Sequence, residues 1–506
     1  MTSIQDIREI RLAKKAQLEK IGINPYPSRI NRTHTLAQTL VEFDELEKSE
    51  TEVSVVGRIM SLRGQGALAF IDLSDGTERF QALLKSDENP IYIKTDEDSE
   101  KIETELSGFD LFKEVIDEGD FISVTGKLFT TKRGQKTVAV SGWSIVAKSL
   151  RPIPDEFYGL KDEDERYRQR YIDILLNPEV RKIVERKSIF WNAFRQFLLE
   201  KNFIEVQTPI LENTAGGAEA RPFETHHNAL DIDVFLRISC GELWQKKLMV
   251  AGLPKTFEIG RVFRNEGMSA THLQDYTQIE FYQAYSDYHE GMKMVTELYR
   301  TVAEKTFGTT KFEIDGQTVD LSNDWAEYDY VKIVEDKFNV NVIESDIDQL
   351  VEILKSNKID FNPNEINRER AVDLLWKVCR KEIIGPGFLI NVPVFLEPLA
   401  KKDPKNPKSV ERFQIILGGT ELGKGFSELN DSVDQESRFD HQESLRAAGD
   451  DEAQMKDSEY IEAMEYGMPP TFGFGISERL FSVLNGTSIR ETTIFPMMRP
   501  RTTKIL

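Results

Sequence analysis

Cysteine is almost missing from this chain: Cys240 and Cys379 are the only two among 506 residues, far apart and without a paired spacing. Neither a disulfide framework nor a structural zinc site is implied. Histidine is scarce as well, with six copies. The neighbouring His226 and His227 do not make a metal site, because adjacent strand residues face opposite ways and no second ligand pair accompanies them. No run approaches the roughly 18 apolar residues of a membrane span, and Met1 to Arg8 lacks an uninterrupted apolar core for export, so a cytoplasmic protein with no membrane partner is expected. Positive charge is in deficit: 65 Lys and Arg against 86 Asp and Glu leave a formal net charge of -21. Such a field repels polyanions and excludes a non-specific nucleic-acid binder. A nucleic-acid partner is admitted only through local basic patches. Candidates are Arg8, Arg11, Lys14 and Lys15; Lys132, Arg133 and Lys136; and Lys401, Lys402, Lys405 and Lys408, each of which, taken singly, reads as a solvated face. Internal repeats, low-complexity segments and dinucleotide or phosphate-loop signatures are missing too.

What is present is a chain too long for one hydrophobic core, with 30% charged and 40% apolar residues, as in ordinary globular proteins. Residues 1–48 read as an N-terminal helical extension, with a charged helix over 1–20 closed by Pro25-Tyr26-Pro27. Over 49–150 the pattern changes to short alternating runs: Val53 to Met60, Leu68 to Leu73, Phe80 to Leu84, Phe121 to Leu128 and Thr137 to Ile145. Five short strands with a long acidic insertion between the third and fourth suggest a small barrel of the oligonucleotide-binding (OB) kind, although a generic barrel fits the pattern too. Residues 151–178 read as a charged linker. From 179 to 506 the pattern is mixed. Val180, Ile183, Val184, Phe194, Phe197 and Leu198 recur at helical spacing, and Phe203 to Thr208 reads as a strand stopped by Pro209. Strands at Phe235 to Ser239, Phe257 to Phe263 and Thr277 to Tyr285 alternate with helices at Glu242 to Ala251 and His289 to Thr306. They imply an antiparallel sheet with helices packed on it, an α+β fold and not a doubly wound one. A helical insertion is expected around 340–380.

Three segments of the C-terminal half carry the chemistry. The first is Phe263-Arg264-Asn265-Glu266-Gly267, followed by Ile279-Glu280-Phe281-Tyr282. The second is Gly425-Phe426-Ser427-Glu428-Leu429-Asn430-Asp431. The third is Gly473-Phe474-Gly475-Ile476-Ser477-Glu478-Arg479-Leu480, with Ile489-Arg490 and Phe495-Pro496 after it. Arg264 and Glu266, two apart on an expected strand, would share a face, one holding a phosphate and the other an amine. Alone, such a triplet is more often a solvated strand end. Order, spacing and residue types together resemble the class II aminoacyl-tRNA synthetases, and within them the lysine-specific family, over nearly the whole chain.

The resemblance implies activation of L-lysine with ATP to lysyl-adenylate and transfer of lysine to the 3' end of tRNA(Lys), with release of AMP and diphosphate, by a homodimer using Mg2+. Activation brings a carboxylate onto the α-phosphate, so the site must hold two anions in line with cationic donors, and no enzymic general base is needed. By resemblance Arg264 stands between the substrate carboxylate and the α-phosphate. Glu266 and the loop to His272 read ATP, and Tyr276 stacks on adenine. Arg479 grips the far phosphate, a task for which its planar, permanently charged head is suited. The segment around it is one residue shorter than the usual pattern. Glu428 is implied as the partner of the ε-ammonium, with Tyr282 adding a hydroxyl acceptor and Glu280 and Phe426 completing the pocket. Gly216, in the Gly216-Gly217 loop, and Glu242 match positions that receive the α-amino group. Each acid taken singly also reads as a structural or surface residue.

Two departures stand out. Gln414 occupies a position that is usually a metal-binding glutamate, leaving Glu421 as the acidic magnesium ligand. Lys424 replaces a common asparagine and is expected to be a cationic clamp on the substrate carboxylate or ATP. For the anticodon, the resemblance implies stacking on Phe70, base-edge bonding by Gln81, and contributions from Arg63 in a loop and from Gln135. Rival readings are a lysylating relative with another acceptor, an aspartyl or asparaginyl relative, and a catalytically silent RNA-binding homologue.

Overall fold

The chain divides into two units in the computed structural model, which describes residues 3–86, 92–93, 106–154, 160–363, 366–450 and 452–501. The first unit takes the described residues up to Arg166 together with Arg499 to Arg501, and the second runs Tyr167–Met498.

In the first unit, helix α1 (Ile4–Lys20) starts where Ser3 and Asp6 cap each other's backbone N–H groups, a reciprocal box that satisfies otherwise orphaned donors. The barrel follows as β1 (Glu52–Gln65), β2 (Leu68–Ser74), β3 (Arg79–Lys85), β4 (Tyr92–Ile93), helix α2 (Gly108–Val115), β5 (Phe121–Thr130) and β6 (Lys136–Ala147). The strand order is β3-β2-β1-β5-β6-β4, and a further β3–β6 pairing closes it. Every second residue of β2, namely Ala69, Ile71 and Leu73, is buried in a core shared with Val53, Val55, Ile122, Val124 and Trp143. All five expected strands form. The acidic insertion expected between the third and fourth lies largely outside the described residues.

Two expectations need correction here. Arg63 is on β1, not in a loop, because a bulge between Ile59 and Ser61 lets β1 bend and keep pairing with β2 as far as Gln65. Arg11 is not part of a solvated basic patch. It is buried, and its guanidinium donates to the carbonyls of Ser149, Arg151 and Glu118.

The second unit opens with helices Glu163–Arg168, which straddles the unit boundary, and Arg170–Leu176, where a linker was expected. Arg170 is buried there. It pairs with Asp173 at 2.7 Å and donates to the carbonyl of Glu491 at 2.8 Å, so its charge is satisfied out of water, while Lys161 to Asp164 are exposed. The long helix α3 (Pro178–Glu200) carries proline at its first position, where no N–H bond is lost. It is followed by β7 (Ile204–Glu205), α4 (Glu242–Val250), β8 (Lys255–Phe263), β9 (Asp275–Ala284), α5 (Tyr288–Phe307), β10 (Ala326–Asp329), α6 (Arg368–Cys379), β11 (Gly387–Ile390), β12 (Arg412–Leu417), β13 (Thr420–Ser427), α7 (Ser458–Glu465), β14 (Thr471–Ser477) and α8 (Arg479–Leu484). The strand expected over Phe203 to Thr208 shrinks to β7. Beyond it, Thr208 turns its N–H and hydroxyl onto the Glu258 carboxylate instead of a ladder partner.

These strands form one sheet in the order β10-β11-β12-β13-β14-β9-β8-β7, antiparallel except at its two edges. Its Phe257, Ile279, Phe281, Phe413, Ile415, Phe472 and Phe474 make one core with Phe190, Phe194 and Phe197 of α3 and Val295, Leu298 and Val302 of α5. Burying each such ring contributes roughly 1.5–3 kcal/mol, so this face of the sheet is fixed by packing alone. The helices around 340–380, including Ile347–Ser356 and α6, pack in a second cluster with Tyr330, Leu389 and Phe439.

Candidate active site

Because strand side chains alternate, fixing the phenylalanines on one face sends their neighbours to the other. Glu280 and Tyr282 of β9, Gln414 of β12, Lys424 and Phe426 of β13, and Gly473 and Gly475 of β14 thereby line one cavity of about 360 Å3. Arg264, Tyr276, Arg479, Glu242, Glu428 and Gly217 line the same cavity. The glycines hold it open. Gly473 is in register with both Tyr282 and Phe426, and a Cβ there would come within 2.0 Å of Glu428 Oε1 and 2.5 Å of Tyr282 Cε1.

The acidic end is built from three elements. Glu242 is the first residue of α4, Glu280 comes from β9, and Glu428 follows β13. All three are buried. Glu280 is fully engaged: Oε1 accepts from the Cys240 N–H at 2.8 Å and from Gln278 at 2.7 Å, and Oε2 accepts from the Tyr282 hydroxyl at 3.0 Å. Burial pushes its carboxyl up to about 7, with Glu242 adding to the rise. Having donated to Glu280, the Tyr282 oxygen keeps its lone pairs for an incoming donor. Glu428 differs: neither oxygen has a hydrogen-bond partner in good geometry, and only Oε2 is ion-paired, 2.5 Å from Lys246 Nζ, which leaves Oε1 buried with no partner of either kind. Burial pushes the Glu428 carboxyl up, and Lys246 opposes that rise.

At the other end stand the arginines. Arg264 was expected on a strand beside Glu266, but β8 stops at Phe263, and Arg264 to Gly267 form the turn into β9. The Arg264 N–H still reaches the Gln274 carbonyl at 2.7 Å, and its Nε donates to the Ile238 carbonyl at 3.2 Å. Its guanidinium lies 5.8 Å from the centre of the Tyr276 ring. Arg479 opens α8 immediately after β14 and is half-buried, with Nε donating to the Thr271 carbonyl at 3.2 Å. Burial lowers its affinity for a proton, and the neighbouring Arg380 and Arg264 add to that effect.

Of the other expected residues, Glu266, His272, Gly216 and Glu421 lie outside this cavity, while Gln414 and Lys424 line it. Glu266, off the shared strand face, lines a neighbouring cleft with Arg221 and Arg370, and burial raises its carboxyl. His272 sits in the turn with Nδ1 against the Ser269 and Thr271 hydroxyls. Gly216 backs onto Leu243, and its carbonyl accepts from Ser239. Glu421 and Gln414 share a smaller cavity next door. Lys424 reaches Glu397 Oε2 at 3.2 Å, and Arg412 holds the other oxygen at 2.8 Å. Glu397 and Lys246 were not singled out from sequence. The i, i+4 spacing of Glu242 and Lys246 was the one available signal.

Magnesium prefers several oxygens free to turn toward it. Here Glu421 Oε1 accepts from Trp376 at 2.6 Å, Oε2 pairs with Arg380 at 2.8 Å, and the Gln414 oxygen accepts from Arg412. The pair supplies one carboxylate, already engaged, and does not fit a resident ion as it stands. Among the described residues no group of three His, Cys, Asp or Glu could hold a metal.

On the barrel, Phe70 alternates out of the core, flanked by buried Ala69 and Ile71. It is cross-strand to Arg63, which pairs with Asp72 at 3.1 Å. Gln81 lies on the next strand opposite Asp72 and accepts from the Thr137 hydroxyl at 3.0 Å. Gln135 is exposed in the turn before β6. Of the other lysine patches, Lys401 donates to Asn430, Lys402 pairs with Asp434 and Lys408 with Glu344.

Residues 162–499 match the family of class II tRNA synthetases (D, K and N), and residues 53–153 match the OB-fold nucleic acid binding domain of the anticodon-binding type. The chain belongs to that class II synthetase family. Its relatives include the lysine–tRNA ligase of Fervidobacterium nodosum, 39% identical over 98% of this chain and 95% of the relative. The lysine–tRNA ligases of Roseiflexus castenholzii and Moorella thermoacetica are each 40% identical over 98% of this chain, covering 99% and 98% of their own lengths.

Gly473→Ala tests the role of the open strand. The added methyl displaces Glu428 or Tyr282, so the KM for the amino acid should rise at least about tenfold while the KM for ATP stays within about twofold. Steady-state measurement of both constants checks it.

Proposed function

We infer that this chain is a lysine–tRNA ligase: it joins lysine to ATP, forming lysyl-adenylate and diphosphate, and then passes the lysyl group to the 3' ribose of tRNA(Lys), releasing AMP. One observation carries the choice of amino acid, namely the unpartnered, buried Glu428 Oε1 in the same cavity as Arg264 and Arg479. A buried carboxylate oxygen without a donor is costly unless a ligand supplies one, and an ammonium does so best. An acidic side chain would be repelled and an amide could donate only a neutral hydrogen bond without a counter-charge, which disfavours the aspartyl and asparaginyl relatives.

In this arrangement the ε-ammonium meets Glu428 beside Tyr282 and Phe426, and the α-amino group turns to Glu242. Arg264 then holds the substrate carboxylate against the α-phosphate. Tyr276 and Arg479 enclose adenine and the far phosphates, with Glu266 and His272 at the mouth. The carboxylate oxygen attacks phosphorus, diphosphate leaves, and the tRNA ribose hydroxyl later attacks the carbonyl carbon as AMP departs. No protein base is required for the first step, since the attacking group is already an anion. Magnesium is retained in the proposal as the companion of the ATP phosphates, not as a resident of Glu421 and Gln414. Lys424, tied to Glu397, is proposed to add positive charge on the phosphate side.

The outward-facing Phe70, with Arg63, Gln81 and Gln135 around it, supports tRNA as the acceptor over a protein acceptor, since splayed bases stack on such rings. A homodimer is proposed as well. Ile189 and Leu199 of α3, Ile204 of β7, and Ile210 and Leu211 are all exposed apolar residues that a second copy would cover.

Lysine-dependent exchange of diphosphate into ATP tests the activity. Glu428→Gln should raise the lysine KM about 100-fold, the cost of removing one partner of a buried charge pair, with the ATP KM nearly unchanged. Exchange supported by aspartate or asparagine and not by lysine would refute the specificity. Phe70→Ala should leave exchange intact while lowering kcat/KM for tRNA by about 10-fold or more, as expected for loss of one stacked base. Sedimentation equilibrium should give twice the 58.1 kDa of one chain, and a monomer would remove the dimer from the proposal.

A further inference from the structure

Lys246 is a cation that the cavity never exposes. It lies on α4, one turn after Glu242, wholly buried and outside the cavity lining. Its Nζ is 2.8 Å from Glu242 Oε1 and 2.5 Å from Glu428 Oε2, and 5.4 Å from the centre of the Phe426 ring. Glu428 lines the cavity, and its other oxygen, Oε1, is buried without a hydrogen-bond partner.

Three buried carboxyls converge here: Glu242 from α4, Glu280 from β9 and Glu428 after β13. The other titratable groups facing Glu428 are the hydroxyls of Tyr282 on β9 and Tyr460 on α7, both neutral at working pH because burial raises them. Carboxylates this close cannot all ionise unless a cation lies among them. A lysine substrate brings two ammonium groups, so its pocket is strongest when the facing carboxylates are charged before it arrives. A neutral Glu428 would bind the ε-ammonium weakly and would tolerate an uncharged side chain of the same shape.

We propose that Lys246 is a positioning residue for amino-acid selection: its ammonium, ion-paired with both Glu428 and Glu242, aims Glu428 and favours its charged form for the substrate's ammonium. This rests on the reading of the cavity as a lysine-activating site. Burial and the acids Glu242 and Glu280 push the Glu428 carboxyl up and Lys246 opposes that rise, so without that ammonium Glu428 keeps its proton to higher pH.

Lysine-dependent diphosphate exchange by the full-length enzyme, followed from pH 6.5 to 9.5, provides the test. Lys246→Met should raise the lysine KM about 100-fold at pH 7, with kcat and the ATP KM changed by no more than a few fold. The defect should shrink as pH rises and Glu428 regains its charge. In the Glu428→Gln background, Lys246→Met should add almost nothing, because one residue acts through the other. Lys246→Arg, which keeps the charge, should lie within about tenfold of the wild type. An unchanged lysine KM in Lys246→Met overturns the inference, as does a loss equal at every pH and additive with Glu428→Gln. Should Lys246→Met not fold, Lys246→Arg decides: a charge-retaining variant as impaired for lysine as Glu428→Gln overturns it. Wild-type enzyme without any lysine-dependent exchange would instead overturn the functional reading.

Discussion

A strand can turn only alternate side chains to each of its faces, and the second unit is organised by that constraint. Phe257, Phe281, Phe413, Phe472 and Phe474 are committed to the helices α3 and α5. Their neighbours in sequence are then committed to the opposite face, with no freedom of register. A slip by one residue on β14 would bring Phe474 into the cavity and Gly473 into the core, losing both at once. Chemistry and packing are two readouts of the same alternation. The polar face therefore needs no scaffold of its own beyond the one that folds the sheet.

On that polar face the dominant energies are electrostatic. Charged groups taken out of water must be paired or they neutralise. The cavity meets this requirement differently at its two ends. The acidic end is compensated internally, with Lys246 between two carboxylates and Tyr282 and Gln278 on the third. At the cationic end, Arg264 and Arg479 donate only to backbone carbonyls through single nitrogens and pair with no carboxylate among the described residues. Positive charge left uncompensated attracts phosphates, and a carboxylate oxygen left without a donor attracts an ammonium. The substrates are thus the missing counter-ions of a site whose own books do not balance.

Much of this was legible in the sequence, because the segments around Arg264, Glu428 and Arg479 combine unusual residue types at fixed spacing, and the barrel strands alternate cleanly. What escaped notice depends on three-dimensional pairing. Lys246 has the appearance of any surface lysine on an amphipathic helix, and only the approach of Glu428, far along the chain, reveals it as buried. Gly473 and Gly475 belong to the segment that leads to Arg479, but only the pairing of β14 with β9 and β13 makes them an aperture. Arg264 was assigned to a strand because alternation does not announce where a ladder ends. The charged stretch before α3 was assigned to a linker because Arg170 finds its partners Asp173 and Glu491 partly across a long loop of chain. Arg11 deceived in the same way.

The barrel and the sheet each close around their own hydrophobic cluster, with no core residue shared between them. Stability and selectivity can therefore drift separately in the two units. On the proposed roles, substitutions around Phe70 and Gln81 would bear on nucleotide recognition and changes around Glu428 on the amino acid, each against its own hydrophobic core. A modular inheritance of this kind lets evolution trade one specificity while conserving the other.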